Sequence, residues 1–355
     1  MLLIKNSYNV IGVMSGTSLD GIDLCFSKFS KHSSDWRFSI YCCETINYNK
    51  YWKLNLSKAH KLSKTGIQKL DNEYTLYLAS VIKKFIYRNK LNNIDFISSH
   101  GHTIFHQPTE KYTFQLGNNV ELRNLTKLPV ICDFRSQDVN LGGQGAPLVP
   151  VGDLLLFKNF SNCINLGGFS NISIKRNSDI IAYDICPVNV VLNHYCRKIG
   201  FEYDHDGNLA KSGFINNKLL IKLNTIDFYT KIYPKSLSIE WVESNIYPII
   251  NSVDIDVKDV LRTFVEHIAF QISKIILDKN ANILITGGGV KNDFLFSLIK
   301  EKIPNTIIKP TNKLVDFKEA LIFAFLGVLR VRNEINCLKS VTGALKDHCS
   351  GEIFE

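Results

Sequence analysis

The sequence predicts a mixed α/β protein made of two similar halves. Three segments support this prediction, because each combines an apolar strand, a glycine-rich turn and a second apolar element. Residues 10–26 and 163–174 are typical of strand–turn–strand hairpins, and they lie about 150 residues apart, so that each opens roughly half of the chain. Residues 282–299 are typical of a strand that leads into a helix through a Gly-Gly-Gly turn. Strand and helix patterns follow both hairpins, so we expect two α/β domains with a cleft between them.

Hydrophobic periodicity indicates the longer elements between these segments. Apolar residues recur at helical spacing over residues 74–89, and again over a longer stretch at 260–276. Residues 316–330 are also expected to form a helix. Short apolar runs at 130–132 and 180–183 are typical of buried strands.

Composition excludes several classes of protein. The chain has 355 residues, of which 45% are hydrophobic, and 42 Lys and Arg against 33 Asp and Glu give a net charge of +9. The chain has no run of basic residues of the kind that forms a nucleic-acid-binding arm. A protein that is basic in general accounts for the net charge equally well. The longest apolar stretch is far shorter than the ~20 residues that span a bilayer. The nine cysteines form no C-x-x-C pair and no signal peptide opens the chain, so we expect a cytoplasmic protein without nucleic-acid or membrane partners.

The turn of the first hairpin is the strongest candidate for phosphate binding. Small residues let the backbone approach a ligand, and main-chain N–H groups and hydroxyls suit phosphate oxygens. An ordinary hairpin with a long turn is the alternative, although two-residue turns are commoner. Asp20 is a candidate to hold Mg²⁺ beside those phosphates. The candidate nucleotide-binding residues of this turn are Gly12, Val13, Met14, Ser15, Gly16, Thr17, Ser18 and Leu19.

Two further turns are weaker candidates for nucleotide binding. The second hairpin offers donors at its glycine turn, but Gly-Gly turns are common without a ligand. The third segment ends a strand and is expected to open a helix, whose N-terminus attracts anions, although it lacks the spacing and the Lys of a P-loop. A tight strand-to-helix connection is the alternative there. The candidate residues are Asn165, Gly167, Gly168, Gly287, Gly288 and Gly289.

Asp184 is the candidate catalytic residue. It follows the strand predicted at 180–183 and precedes a helix expected from residue 188. A carboxylate at the carboxyl end of a strand lies where α/β sheets place their chemistry. The alternative is that the side chain caps the following helix, and the residues alone do not separate the two roles.

Other candidates lie in two polar segments and one helix. Three histidines at positions 100, 102 and 106 follow the strand expected at 96–99 and enter a predicted loop, where substrate contact, a zinc site or a structural role are all open. Arg135 is suited to an anionic substrate group, and a salt bridge to Asp138 is the alternative. Glu319 is expected either in the cleft or on the helix surface. The candidate substrate residues are His102, Thr103, Arg135, Asn189 and Glu319.

The glycine turns resemble those of the actin-like ATPase superfamily, and more closely the chain is similar to the anhydro-N-acetylmuramic acid kinase family. The similar segments follow in family order over nearly the whole chain. They are G-V-M-S-G-T-S-L-D-G-I-D (12–23), S-H-G-H-T-I-F-H-Q-P (99–108), D-F-R (133–135), G-G-Q-G-A-P-L-V-P (142–150), I-N-L-G-G-F-S-N-I-S (164–173), P-K-S-L (234–237), I-T-G-G-G-V-K-N (285–292), K-E-A (318–320) and S-V-T-G-A (340–344).

This resemblance implies two actin-like (ribonuclease H-like) domains and a homodimer. We expect the first domain at 1–138, with 338–355 as a candidate to complete it, and the second at 139–337. The implied reaction is that ATP, 1,6-anhydro-N-acetylmuramic acid and water give N-acetylmuramic acid 6-phosphate and ADP, in the recycling of cell-wall sugars. ATP and Mg²⁺ are the implied cofactors, and Asp184 matches the catalytic base of the family.

One segment departs from the family. Where the family has Asp-Thr-Gly-Pro-Gly-Asn, this chain has Asp184-Ile185-Cys186-Pro187-Val188-Asn189. The carboxylate, the proline and the asparagine are kept, whereas a hydroxyl and two glycines are replaced. A related kinase for another sugar or sugar acid is therefore the first alternative, a non-enzymatic actin-like ATP switch the second, and a metal-dependent hydrolase the third.

Overall fold

The computed structural model describes residues 2–16, 18–176 and 179–355. These residues form two compact units, one made of residues 2–157 and 317–355 and the other of residues 158–316. In chain order the elements are β1 Ser7–Ser15, β2 Gly21–His32, β3 Asp35–Asn47, α1 Lys50–Lys58, α2 Lys64–Arg88, β4 Phe96–Gln107, β5 Tyr112–Leu116, α3 Val120–Thr126, β6 Val130–Cys132, α4 Ser136–Asn140, α5 Pro150–Leu156, β7 Asn162–Leu166, β8 Phe169–Arg176, β9 Asp179–Pro187, α6 Asn189–Lys198, α7 Asn208–Ser212, α8 Asn217–Asn224, α9 Ile239–Asn245, α10 Tyr247–Asn251, α11 Val257–Ile275, β10 Ile283–Thr286, α12 Asp293–Lys302, β11 Ile307–Ile308, α13 Asn312–Val331, α14 Lys339–Thr342 and β12 Glu352–Phe354.

The two units repeat one sheet topology. In the first unit the strand order is β3-β2-β1-β4-β6, with β12 added at the β6 edge and β5 paired to β4. In the second unit the order is β9-β8-β7-β10-β11. In the first unit β1, β2 and β3 form an antiparallel meander, and β4 and β6 run parallel to β1. In the second unit β7, β8 and β9 form the meander, and β10 and β11 run parallel to β7. This is the arrangement of the actin-like fold, so the predicted α/β class and its two similar halves are confirmed.

Each unit has its own hydrophobic core. In the first unit, Ile11 and Ile22 of the meander and Tyr74 and Ile82 of α2 belong to one buried cluster. In the second unit, the buried cluster combines residues of β7, β8 and β10 with the buried side of α11. The sequence periodicity predicted α11 almost to its ends, whereas α2 begins ten residues before the predicted start, where the Ser63 side chain accepts from the Gly66 N–H and caps the helix.

The unit boundaries differ from the expected domain boundaries at two places. Helix α5 packs on β3, and the ring of Phe157 lies 5.5 Å from that of Phe38, so the first unit continues past residue 138 to residue 157. Most of α13 also belongs to the first unit, where Ser98 donates to the Phe323 carbonyl at 2.5 Å. Residues 338–355 lie in the first unit as well, because β12 pairs with β6. Among the described residues, no helix is long and apolar enough to cross a membrane.

Candidate active site

The turn between β1 and β2 divides the predicted phosphate-binding residues into buried and accessible ones. A Cβ on Gly12 would lie 1.9 Å from the Ala320 carbonyl oxygen, so this glycine is required by the packing of α13 against β1. Val13 is buried in the core of the first unit. At Gly16, by contrast, a Cβ would meet nothing closer than 3.6 Å, and Ser18 after it is exposed. Thr17 lies outside the described residues.

The rest of this turn keeps a path open for a ligand. Leu19 has a φ of 59° and closes the turn with an N–H that lies 3.4 Å from the Gly16 carbonyl oxygen. Met14 is half-buried and Asp20 is exposed at the start of β2. The backbone at Gly16 and the side chains of Ser18 and Asp20 are therefore accessible from outside, which is compatible with the predicted roles of this turn.

A buried hydrogen-bond network holds Ser15, the residue at which β1 ends and this turn begins. The Ser15 hydroxyl lies 2.7 Å from the Tyr48 hydroxyl and 2.8 Å from Nδ1 of His102, and the Tyr48 hydroxyl lies 2.7 Å from that of Tyr74. Burial lowers the pKa of His102 to about 4, so the ring is neutral near pH 7. His102 therefore fixes Ser15, the last residue of β1, and Thr103 follows it half-buried on the same strand.

The predicted loop around the three histidines is wrong, because β4 runs on through residue 107. Among the described residues these histidines do not gather as metal ligands, since each has a different partner. His102 contacts Ser15, His106 is exposed and lies 3.1 Å from the Thr113 hydroxyl, and His100 accepts from Arg135. The continuation of this strand is not visible in the sequence, because its first seven residues are all buried and the later ones among them are polar, with polar partners.

Arg135 is a half-buried cation that forms no direct ion pair with a carboxylate among the described residues. Its Nε and one terminal nitrogen lie 3.0 and 2.8 Å from Nε2 of His100, and the other terminal nitrogen donates to the Gly145 carbonyl at 2.5 Å. His100 accepts as a neutral ring, because burial first and the Arg135 charge second hold its pKa well below the usual range. The salt bridge to Asp138 is not formed among the described residues: that carboxylate accepts from Gly145 and Thr342 instead. The contacts of Arg135 are therefore with neutral groups, while the carboxylates of Glu319, Asp138 and Asp133 act on its charge without pairing with it directly.

Glu319, a residue of α13, lies near Arg135. Its side chain is exposed, while the preceding Lys318 is buried and pairs with Asp153 at 2.7 Å. Although Glu319 is in contact with solvent, the protein atoms that surround it reduce its hydration and raise its pKa; the Asp23 carboxylate adds to this rise, whereas Lys318 and Arg135 oppose it. The structure of the first unit therefore brings Glu319 and Arg135 within electrostatic reach of each other.

The second unit gathers its candidate nucleotide residues at one edge of the sheet. Asn165, the last but one residue of β7, pairs with Thr286 at the end of β10, so the glycine turns that follow these two strands are neighbours. A Cβ on Gly287 would lie 2.5 Å from the Asn165 side-chain oxygen, whereas Cβ atoms on Gly168 and Gly288 would meet nothing within 4 Å. These two glycines therefore present open backbone to a ligand.

Two details of this edge differ from the sequence prediction. Gly288–Lys291 form a short 3₁₀ turn, and α12 begins only at Asp293, with Asn292 as its N-cap. The Gly-Gly-Gly turn is therefore not the N-terminus of an α-helix. Asn189 begins α6 next to the other turn, and its N–H lies 3.3 Å from the Gly167 carbonyl oxygen. Its side-chain nitrogen would lie 3.5 Å from a Cβ on Gly289, so Asn189 joins the same group.

Asp184 lies inside β9 rather than after a strand. Asn165, Asn171 and Asp184 are register partners across three adjacent antiparallel strands, so they share one face of the sheet. The register shift beside Asn171 leaves Ile185 as an extra residue, which is buried. Helix α6 starts five residues later, so the structure does not support the alternative role as a helix cap.

One main-chain donor fixes the carboxylate of Asp184. Its Oδ2 accepts from the Leu237 N–H at 2.8 Å, and its own N–H donates to the Lys235 carbonyl at 3.1 Å. Partial burial raises the pKa of Asp184, and the Leu237 hydrogen bond offsets part of this rise. An ionised carboxylate with one strong donor and a raised pKa is suited to accept a proton.

Sequence reasoning missed the partners that orient these groups. The segment P-K-S-L matches the family without indicating a role, and its Leu237 supplies the donor to Asp184. His100 was grouped with the other histidines, although its partner is Arg135. Neither contact follows from local pattern, because each joins residues that are 35 or more positions apart.

The chain is similar to known proteins over nearly its whole length. Residues 8–355 match the family model described as Anhydro-N-acetylmuramic acid kinase. Curated relatives of that name include one from Sulfurimonas denitrificans, 31% identical over 97% of this chain and 99% of the relative. A second, from Actinobacillus pleuropneumoniae, is 32% identical over 99% of both, and a third, from Haemophilus influenzae, is 31% identical over 100% of this chain and 99% of the relative. The chain therefore belongs to the anhydro-N-acetylmuramic acid kinase family.

Proposed function

We propose that this protein uses ATP and water to open 1,6-anhydro-N-acetylmuramic acid and to phosphorylate its O6, giving N-acetylmuramic acid 6-phosphate and ADP for the recycling of cell-wall sugars. Membership of the family supports the reaction. The observation that carries the mechanism is the Asp184 carboxylate, which one main-chain donor holds in a partly desolvated position.

Asp184 acts as the general base. It takes a proton from a water molecule, whose oxygen attacks the anomeric carbon as the bond from that carbon to O6 breaks. The freed O6 forms a bond to the γ-phosphorus of ATP, and ADP leaves. Ring opening passes through an oxocarbenium-like state, for which a base on one face of the sugar is the arrangement that glycoside hydrolysis also uses.

Phosphoryl transfer needs positioning and charge neutralisation rather than a protein nucleophile. In the second unit, the open backbone at Gly168 and Gly288 and the side chain of Asn165 are suited to phosphate oxygens. In the first unit, Gly16 and Ser18 offer the same chemistry. Mg²⁺ would neutralise phosphate charge, and exposed Asp20 beside the turn offers it an oxygen ligand.

Arg135 is our candidate for the lactyl carboxylate of the sugar. Its guanidinium is held by a neutral histidine and a carbonyl, so its positive charge is not neutralised by those contacts. Charge-assisted pairing with a carboxylate is the strongest recognition available to such a group. His102, Thr103, Asn189 and Glu319 remain proposed substrate contacts.

The segment that departs from the family does not replace the working residues. Ile185, Cys186 and Val188 are buried in the hydrophobic core of the second unit, so the added side chains fill the interior. This placement favours the anhydro sugar over the alternative of a kinase for another sugar. Cytoplasmic localisation, a homodimer and the absence of nucleic-acid partners stay predictions.

The test is a single assay on two variants. Asp184→Asn should keep ATP affinity, measured by calorimetry, and lose about 10²–10⁴-fold in kcat. Asp179→Asn, an exposed change on the same strand, is the matched control and should keep the wild-type rate. Reaction in ¹⁸O water should place one heavy oxygen at C1 of the product. A near-normal rate in Asp184→Asn, or no heavy oxygen at C1, would contradict the mechanism.

The same assay separates the alternatives. Transfer to ordinary amino sugars but not to the anhydro sugar would indicate a different kinase, and ATP binding without any sugar turnover would indicate a switch.

A further inference from the structure

A second cluster of chemically capable side chains lies in the first unit, apart from the groups assigned above. Cys337 and His348 face each other across an isolated antiparallel bridge, in which each N–H donates to the other's carbonyl at 3.1 Å. Opposed residues of such a pair project to the same side, so the thiol and the imidazole are neighbours. Asp138, from α4, brings its carboxylate to the same point.

The three side chains offer one ligand atom each within a small buried volume. A carboxylate oxygen, a thiol sulfur and an imidazole nitrogen all lie within 4.8 Å of one another. Exposure is 0% for Asp138, 2% for Cys337 and 5% for His348. Burial raises the pKa of the Cys337 thiol, so that the group is protonated unless a cation binds it.

His348 points an unpartnered nitrogen at the carboxylate. Its Nδ1 lies 3.1 Å from the Lys346 carbonyl oxygen and therefore donates, which leaves a lone pair on Nε2. Nε2 is 3.5 Å from Oδ1 of Asp138 and has no hydrogen-bond partner among the described residues. Two acceptors that face each other away from water are unfavourable, so the space between them suits a cation.

We propose that Asp138, Cys337 and His348 form a binding site for Zn²⁺. Nitrogen, sulfur and carboxylate oxygen are the ligands that Zn²⁺ prefers, and three protein ligands leave one position for a water molecule. A metal-binding histidine usually donates its other N–H to a carbonyl or carboxylate, as His348 does to Lys346. On binding, the thiol loses its proton to solvent and the sulfur bonds the metal as a thiolate.

The site would connect the C-terminal bridge to the neighbourhood of Arg135. The second carboxylate oxygen of Asp138 accepts from the Gly145 N–H at 2.7 Å, and the carbonyl of the same glycine accepts from Arg135. A metal at Asp138 therefore stabilises the loop that orients this guanidinium. Its role is positional, and it does not depend on the identity of the sugar.

Cobalt titration of the full-length, chelator-treated protein tests the proposal. Co²⁺ should bind one per chain with a thiolate-to-metal absorption band in the near ultraviolet, and Zn²⁺ should remove that band. Zn²⁺ at a hundredfold excess over its Kd should raise Tm by about 4 °C. Binding of Zn²⁺ near neutral pH should also release about one proton from the thiol.

Variants identify the ligands. Cys337→Ser and His348→Gln should lose the cobalt band and the Tm increase, whereas Cys349→Ser, which changes the adjacent half-buried thiol, should keep both. A wild-type protein with neither a band nor a Tm increase would overturn the proposal. A band that survives in Cys337→Ser would overturn it too. The wild-type result decides even where a variant does not fold.

Discussion

The hydrogen bond from Leu237 to Asp184 sets how readily the proposed base ionises. Leu237→Pro removes the only atom of that residue that donates to the carboxylate, while the side chain of Asp184 is unchanged. A hydrogen bond to a charged group is worth about 1.5–3 kcal/mol, and one pKa unit corresponds to about 1.4 kcal/mol. Loss of the donor disfavours the ionised form, so the pKa of Asp184 should rise by about 1–2 units.

The pH profile of kcat/KM measures this shift. A general base must be ionised, so activity falls as pH decreases through the Asp184 pKa, which burial already raises. In Leu237→Pro this acid limb should move to higher pH by about 1–2 units, while the rate well above both pKa values changes little. Leu237→Ala keeps the N–H and is the matched control.

An unmoved acid limb in the proline variant would refute the assigned donor. If proline disturbs the local backbone, an ester in place of the Leu237 amide removes the same N–H without restricting φ, and the same shift is expected. A shift of equal size in Leu237→Ala would show instead that side-chain packing, and not the hydrogen bond, controls the carboxylate.

Three further variants test separate parts of the site. Gly12→Ala should destabilise the first unit by about 1–3 kcal/mol, because its Cβ would overlap the Ala320 carbonyl; an unchanged Tm would contradict this packing. Gly168→Val should leave Tm unchanged, since a Cβ there meets nothing within 4 Å, but weaken ATP binding tenfold or more by calorimetry; equal affinity would remove this turn from the nucleotide site. Arg135→Gln should raise KM for the anionic sugar by about 10–100-fold with little change in KM for ATP, as expected for the loss of one charge-assisted contact; a normal sugar KM would exclude the proposed carboxylate contact.

The sequence alone was sufficient to predict the strands and helices that local residue patterns determine. Both hairpins are found where glycine-rich turns separate apolar runs, and α11 follows its helical period. Strand β4 was cut short because its buried positions include His100 and His102, and only partners distant in sequence make such residues acceptable inside. Propensity and periodicity carry no information about those partners.

The candidate site shows the same limit. The motifs identified the candidate residues, but the structure gives some of these residues contacts that the motifs did not indicate. Gly12 suits a phosphate turn by residue type, but its close contact is a helix in the same unit. Asp184 was selected by its position after an apolar run, whereas its orientation comes from a main-chain donor 53 residues away. The roles of these residues in binding and catalysis stay predictions.

The division of the chain into units has a consequence for synthesis. Residues 158–316 form one unit from a single continuous stretch, whereas the other unit needs residues 317–355 in addition to its first 157. A growing chain emerges from the ribosome in sequence order, so the inner unit has all of its strands before its neighbour receives α13 and β12. The side of the earlier sheet that α13 covers therefore stays exposed during that interval, and exposed apolar surface of this kind favours aggregation.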